Sequence, residues 1–222
     1  MSFWQPLALS VELAAVTTAV LLVGGLPLAY WLAFSRSRLR PLVHALVALP
    51  LVLPPTVIGF YLLMLLGPAG PLGLWLEGVL GVRLVFSFPG LVIGSVLYSL
   101  PFMVQPIEAA LSALPSSLAE ASYVLGKSRW RTFWRVLLPN VRPAVLTAAI
   151  ISFAHTIGEF GVVLMIGGSI PGSTRVASIA LFAEVESMDY ALAHRHALIL
   201  LAATLPVLLA LQIYRRRCVA AH

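Results

Sequence analysis

Charged residues are scarce in this chain of 222 residues. Only 10% of the residues are Asp, Glu, Lys or Arg, whereas 60% are hydrophobic, and the mean hydropathy is +1.00. Soluble globular domains carry about 25% charged residues. The composition therefore excludes an ordinary soluble protein and predicts an all-α integral membrane protein.

Reactive side chains are also rare. Cys218 is the single cysteine, which excludes a disulfide framework and a cysteine-based metal site. The five histidines show no metal-ligand spacing beyond the weak pair His194 and His196. No set of Ser, His and acidic residues indicates nucleophilic or acid–base catalysis. We therefore expect no metal, no catalytic residues and no enzymatic activity in this chain.

Five stretches are long enough to cross a bilayer core, which requires roughly 20 apolar residues. These predicted spans lie near residues 7–34, 43–66, 88–112, 143–167 and 196–214. Residues 7–214 are interpreted as a single transmembrane domain with no soluble domain. Residues 115–141 form a loop within it.

The basic residues predict the orientation of these spans. Eleven of the 14 Lys and Arg residues follow the first, third or fifth span, and only Arg83, Arg175 and Arg195 lie in the other connections. The positive-inside rule then places the N-terminus outside and the C-terminus and the loop of residues 115–141 in the cytoplasm. Such a distribution does not indicate nucleic-acid binding. The acidic residues of the external segment 168–195 are expected to form a solvated face: Glu184, Glu186 and Asp189.

Residues 120–139, EASYVLGKSRWRTFWRVLLP, form a basic and aromatic insert between two apolar spans. Ser117 and Glu120 have the spacing of a capping box, which predicts a short helix ended by Gly126 in the left-handed conformation. A second helix is predicted to carry an apolar stripe beside an arginine face, and Pro139 to close it. The stripe comprises Trp130, Phe133, Trp134 and Leu137, and the basic residues include Lys127, Arg129, Arg131 and Arg135.

Two functions fit this helical hairpin. It lies on anionic lipid as an interfacial element, or it docks a cytoplasmic partner, since aromatic residues and Arg dominate interface hot spots. The sequence LGKS at residues 125–128 is not a phosphate-binding loop, because position 121 is Ala and no strand precedes it. We expect no ATP site in this chain.

The spacing of the insert resembles the EAA loop of ABC importer permeases. The matching residues are Glu120, Ala121, Gly126, Leu138 and Pro139, with Ser122 and Val136 as departures where that family usually has Ala and Ile. A second EAA sequence at residues 108–110 is rejected, because Leu114 occupies its glycine position. In that family the loop docks on the ATP-binding subunit, which implies that Arg129, Trp130 and Phe133 also take part in this contact.

Two further stretches, residues 49–63 and 158–182, are similar to those of the molybdate-transport permeases. The resemblance implies a permease subunit of the bacterial inner membrane, with five spans in the type I importer fold. It also implies a homodimer, two ATPase subunits that bind ATP and Mg, and an external oxyanion-binding protein. Tungstate and sulfate or thiosulfate remain alternative substrates, and a passive anion channel or an intramembrane enzyme is the alternative from another class.

The pathway is expected where the second and fourth spans approach their copies in the dimer. Prolines inside a span either line a cavity, act as hinges or only kink a packed helix. A carboxylate inside a span is costly, and a bare one repels an oxyanion, so Glu159 is expected to be protonated or paired. The candidate gate comprises Pro54, Pro55, Thr56, Gly59, Gly158, Glu159 and Gly161.

Overall fold

The computed structural model describes residues 3–220, and it describes side chains for residues 3–213. No strand occurs in the described part, so the predicted all-α fold is confirmed. Arg215, Arg216, Arg217 and Cys218 lie outside the described side chains, and His222 lies outside the described residues. The helices are α1 (Gln5–Phe34), α2 (Arg40–Ala48), α3 (Pro55–Leu66), α4 (Pro71–Leu80), α5 (Phe88–Ser112), α6 (Ser116–Val124), α7 (Arg129–Thr132), α8 (Leu138–Asn140), α9 (Arg142–Gly158), α10 (Gly161–Gly167), α11 (Ala177–Glu186) and α12 (Tyr190–Ala220).

Three helices of the described chain are long and apolar enough to cross a membrane: α1, α5 and the Tyr190–Ile213 part of α12. The count rises to five only if each of two bent helix pairs is taken as one span. These pairs are Arg40–Leu51 with Pro55–Leu66, and Arg129–Asn140 with Arg142–Gly158. The first, third and fifth predicted spans thus coincide with long helices, and α12 begins six residues before the predicted 196. The set of five membrane crossings stays a prediction.

The second predicted span is not one helix. A 3₁₀ turn at Leu49–Leu51 follows α2, and the direction of the chain changes by 112° before α3 begins at Pro55. Proline lacks the backbone N–H that would continue a helix, and Pro54 adopts an extended conformation with φ −55° and ψ 137°. By contrast, α5 continues through Pro101 and Pro106. The same residue type therefore breaks one span and is accommodated in another.

The fourth predicted span is also divided, which the sequence did not indicate. Helix α9 ends at Gly158, Glu159 is extended with φ −66° and ψ 135°, and α10 starts at Gly161. Backbone groups at the break are hydrogen-bonded to nearby residues. The Glu159 amide donates to the Thr156 carbonyl at 3.3 Å. The Ser178 hydroxyl donates to the Glu159 carbonyl at 2.5 Å, which ties the break to α11.

Helix α5 connects two hydrophobic cores. Near one end, Leu91 packs with residues of α1, α3, α10 and α11, including Leu62 and Val162. Toward the other end, Met103 and Ile107 pack with α1, α2, α9 and the insert. Burial of these side chains therefore packs both hydrophobic cores against a single continuous helix, α5.

Two short helices lie in the segments predicted to be external connections. Helix α4 ends at Gly81 in the left-handed conformation, and the Arg83 guanidinium then donates to the Glu77 carboxylate at 2.8 Å. This hydrogen bond holds the pKa of Glu77 below its ordinary value. In the second segment, Glu186 and Asp189 are exposed as predicted, but the prediction was wrong for Glu184. Its carboxylate accepts from the buried His196 ring at 2.9 Å, because α11 and α12 fold against each other.

Glycine allows α3 and α10 to pack in direct contact. A β-carbon at Gly59 would lie 2.7 Å from Cβ of Met165 and 3.1 Å from the Val162 backbone. We predict that Gly59→Ala lowers the thermal unfolding temperature of the purified protein in detergent, at a cost of about 1–3 kcal/mol for overpacking. Gly24→Ala is the matched control, since it is also helical but its β-carbon meets nothing within 4 Å. Equal unfolding temperatures for both variants would contradict the close contact.

Candidate functional site: an exposed hairpin and a cavity between two broken spans

The insert folds into the predicted helical hairpin. Helix α6 ends in a Schellman motif, in which the Gly126 amide donates to the Tyr123 carbonyl at 2.9 Å and the Lys127 amide to the Ser122 carbonyl at 3.1 Å. Gly126 has φ +70°, which confirms its predicted left-handed conformation. The second helix then runs from Arg129 to Asn140 as α7, a π-helical turn at Phe133–Leu137, and α8.

The predicted capping box is wrong. Pro115 is extended and α6 begins at Ser116, so Ser117 lies at the second helical position and not at the cap. No side chain caps this helix, and Glu120 is exposed. Ser128 caps the second helix instead, with its hydroxyl accepting from the Arg131 amide at 3.3 Å. The prediction that Pro139 closes the second helix is also wrong, since Pro139 lies inside α8.

Buried side chains anchor the hairpin to the membrane helices. Phe133 and Leu137 belong to the core beside α5, and Phe133 packs edge-on against Tyr30 of α1 with ring centroids 4.9 Å apart. The buried Ser122 and Thr132 hydroxyls bond to each other at 2.9 Å and join the two hairpin helices. This bond gives a physical reason for Ser at position 122, where the EAA loop usually has Ala.

Other side chains of the hairpin are exposed. We call it the hairpin surface and define it as Val124, Leu125, Trp130 and Trp134 with the exposed basic residues Lys127, Arg129, Arg131 and Arg135. Val124 is 87% exposed, Leu125 74% and Trp130 69%. The predicted four-residue stripe therefore divides, with Phe133 and Leu137 facing the core. Trp130 and Trp134 instead line an open groove with Val23 and Pro27 of α1.

The two broken spans meet at a second feature, a cavity of about 510 Å³. We call it the break cavity. Five of the seven predicted gate residues line it: Pro55, Thr56, Gly158, Glu159 and Gly161. Gly59 lies one turn away under Met165. Pro54 is exposed and is not among the lining residues.

The contact between these two spans already exists within one chain. A β-carbon at Gly161 would lie 2.9 Å from Cβ of Pro55 and 3.3 Å from the Thr56 amide nitrogen. The sequence predicts instead that these two spans approach their copies in a dimer. A crosslink between these two positions would therefore form inside one subunit, and the approach of the two copies stays a prediction.

Buried polar residues of α5 and α9 lie behind the lining residue His155, and most of them were not predicted from the sequence. Ser99 of α5 lies 3.0 Å from Nδ1 of His155 and 3.1 Å from the Thr156 hydroxyl. Because Thr156 donates its single hydroxyl hydrogen to the Ser152 carbonyl, it accepts from Ser99, and Ser99 in turn accepts from His155 Nδ1–H. Hydroxyl residues one turn apart in an apolar span, as Ser95 and Ser99 are, would have been the available signal.

The Glu159 residue borders the cavity, and its carboxyl oxygens are buried beside these polar residues. The side chain is 4% exposed, and neither oxygen has a hydrogen-bond partner within the described structure. The Ser95 hydroxyl lies beside it but does not meet hydrogen-bond geometry and is itself unpartnered. Of the two predicted alternatives, protonated or paired, the described residues supply no pairing group. No group of three His, Cys, Asp or Glu residues in the described part could hold a metal.

A family model described as "Binding-protein-dependent transport system inner membrane component" matches residues 25–218. Among curated proteins, the molybdenum transport system permease protein ModB of Azotobacter vinelandii is 54% identical over 84% of this chain and 82% of its own length. The Escherichia coli K12 protein of the same name is 32% identical over 83% of this chain and 80% of its own. The sulfate transport system permease protein CysT of that strain is 33% identical over 88% and 70%.

Solved transporter structures share the fold. A chain of the inward-facing MetNI methionine ABC transporter superposes with a TM-score of 0.72, at 18% identity, and the match covers 97% of this chain and 99% of that one. A chain of a bacterial ABC transporter that imports the acidic polysaccharide alginate gives a TM-score of 0.71 at 19% identity, with coverages of 94% and 79%. At these identities the likeness establishes the fold alone, which is that of importer permeases.

Proposed function

The chain belongs to the family of binding-protein-dependent transport system inner membrane components, and we propose that it is the permease subunit of an ATP-driven importer for molybdate. Its homologues are ABC transporter permeases, and its fold is that of type I importer permeases. The observation that carries the coupling role is the hairpin surface, an exposed apolar and basic face on a hairpin anchored in the core. A separate ATPase subunit, which binds ATP and Mg, supplies the hydrolysis.

The hairpin surface has the composition of a docking site. Exposed Trp130 and Leu125 offer apolar area, and Arg129 and Arg131 surround it with charge that pairs with acidic groups on a partner. The anchoring contacts of Phe133 and Leu137 mean that a force applied to this surface reaches α1, α5 and α9. We infer that the hairpin surface is the contact to the ATPase.

Molybdate is the substrate favoured by similarity. The proteins named for molybdenum transport include the 54% identical relative. The CysT relative supports sulfate as the second candidate substrate, at 33% identity. Both are tetrahedral oxyanions, and the break cavity has room for an ion of that size, since it measures about 510 Å³. An external binding protein would deliver the anion and select among such ions.

Two copies of the chain would enclose the pathway. One copy has three long apolar helices, or up to five spans, and its break cavity is open at Thr56 and Gly158, both exposed in the single chain. A second copy placed against this side would close the cavity and put it near the twofold axis. The gate would then consist of α3 and α10 with the two breaks that precede them, because interrupted helices line pathways in membrane transporters.

The proposed orientation follows the charges. Arg36 and Arg38 lie beyond the end of α1 and are exposed near the hairpin, and Lys127 and Arg129 lie on the hairpin itself. The positive-inside rule puts this end in the cytoplasm of a bacterial inner membrane and the N-terminus outside. The end of α11 would then face the binding protein.

We predict that Gly126→Asp leaves the permease in the membrane but reduces ATP-dependent molybdate uptake and co-purification of the ATPase. The substitution places a charge on the hairpin surface, where a β-carbon meets nothing within 4 Å. A central interface residue contributes about 2 kcal/mol or more, so ATPase binding should weaken by roughly thirtyfold. Uptake into proteoliposomes and pull-down of the ATPase measure both effects.

Gly81→Asp is the matched control for this prediction. Gly81 also has a left-handed φ, +65°, and open space around its β-carbon, but it lies at the end of α4. Backbone strain of about 1 kcal/mol is therefore common to both variants, and only Gly126 is on the proposed contact. Equal loss of uptake in the two variants, or normal ATPase binding by Gly126→Asp, would argue against the docking role.

We predict that a cysteine introduced at position 129, in a Cys218→Ser background, is not labelled by an impermeant thiol reagent added to intact cells. A cysteine at position 83, beside Glu77 at the opposite end, should be labelled under the same conditions. Both native side chains are exposed in the structure. Labelling of the two cysteines should therefore depend only on the side of the membrane on which each one lies. Labelling of position 129 from outside would overturn the orientation.

A further inference from the structure

The break cavity contains a buried acidic group with nothing to neutralise it. Glu159 is 4% exposed, and both carboxylate oxygens lack a hydrogen-bond partner in the described structure. None of the residues that line the cavity is Lys or Arg. The other titratable groups that face it are Tyr98 of α5 and His155 of α9. The Ser95 hydroxyl lies beside the carboxyl, and no cationic group that would stabilise a charged carboxylate lines the cavity.

His155 does not supply the missing charge. Its Nδ1 is bonded to Ser99 at 3.0 Å, and its ring lies against Phe102 with centroids 4.2 Å apart. Its ring also packs against Tyr98 at 5.1 Å. The ring is thus held by α5, and no ion pair between His155 and Glu159 exists among the described contacts.

An unpaired carboxylate in an apolar interior is far more costly than a neutral carboxylic acid. The end of α9 adds to this cost, because Glu159 follows its last residue and the carbonyl end of a helix carries partial negative charge. A neutral carboxyl group gains a donor O–H that a carboxylate does not have. The Glu159 side chain can then offer a hydrogen bond to an anion.

Other donors converge on the same cavity. Thr56 and Tyr98, which carry hydroxyl groups, line the cavity. The Thr56 amide lies at the start of the 12-residue helix α3, where Pro55 has no N–H and the Val57 and Ile58 amides donate to the Pro54 carbonyl. The amide end of a helix favours anions. A fully deprotonated tetrahedral oxyanion accepts hydrogen bonds through every oxygen and donates none, which matches a lining of donors.

We propose that Glu159 is a neutral carboxylic acid in the pathway and donates a hydrogen bond to the oxyanion as it passes the two breaks. The inference rests on the proposed function, because it names the group that the transported anion meets inside the permease. Glu159 then helps to determine which anions pass, although its ionised form would repel an anion. The Glu159 carboxyl then lacks a hydrogen-bond partner within the chain because its partner is the transported anion.

The test uses the complete importer, purified and reconstituted in lipid, with the Glu159→Ala and Glu159→Gln variants. Glu159→Ala removes the donor, and we expect uptake of molybdate to fall about ten- to hundredfold, the factor for one hydrogen bond to a charged group. Glu159→Gln restores an N–H donor of nearly the same shape and should recover most of the uptake. Glu77→Gln, on exposed α4 outside the cavity, is the control for loss of a glutamate.

Infrared difference spectroscopy separates a transport role from a packing role. The wild-type complex should show a carboxylic acid C=O band that is absent in Glu159→Gln. This band should shift when the molybdate-loaded binding protein and a non-hydrolysable ATP analogue are added. A carboxylate band in its place, an acid band that does not shift, or a Glu159→Gln variant as inactive as Glu159→Ala would each overturn the inference.

The two proposals fail in different ways. If the wild-type complex takes up no molybdate, the proposed substrate is wrong, and the same band is then followed with sulfate and its binding protein. A shift with sulfate would support the role of Glu159, and an unshifted band with both anions would refute it.

Discussion

An interrupted helix inside a bilayer must hide its unpaired backbone groups in protein or in water. In this chain the second and fourth predicted spans are interrupted, and the two interruptions pack against each other. Gly161 allows α10 to lie against Pro55 and Thr56 at the start of α3, and Ser178 of α11 donates to the Glu159 carbonyl in the break. The break cavity remains where the two interruptions do not fully close. The packing of α3 on α10 thus contributes to the stability of this region and, in the proposed function, determines the place where the anion passes.

The hairpin and the break cavity are connected by one helix. The second helix of the hairpin turns by 76° into α9, and α9 ends at Gly158 beside the cavity. Its 17 residues span about 25 Å at 1.5 Å per residue. Because Phe133 and Leu137 pack in the same core as Ala148 of α9, we expect a displacement of the hairpin to move α9 with it. In the proposed function, α9 therefore transmits motion of the ATPase to the cavity.

Local residue patterns predicted some features and missed others for identifiable reasons. The left-handed Gly126 followed from its position after a short polar helix, and five of the seven candidate gate residues proved to line one cavity. The break at Glu159 could not be predicted from hydropathy, because residues 143–167 are apolar on average and Glu159 is the only Asp, Glu, Lys or Arg among them. The capping box failed because Pro115 is the N-cap residue, so α6 begins two residues before the start that a cap at Ser117 would give. The pairing of Glu184 with His196 depends on how α11 and α12 fold together, which no local pattern specifies.

The central claim is that the break cavity belongs to the pathway and changes with the nucleotide state. A cysteine at position 56, in a Cys218→Ser background, measures it directly by its rate of modification with a small soluble thiol reagent in the reconstituted importer. A cysteine at position 37, exposed between α1 and α2, is the reference for reagent access on the hairpin side. The account predicts that the rate at position 56 changes at least tenfold between the nucleotide-free and ATP-trapped complexes, while the rate at position 37 is constant. An unchanged rate at position 56 in both states would contradict it.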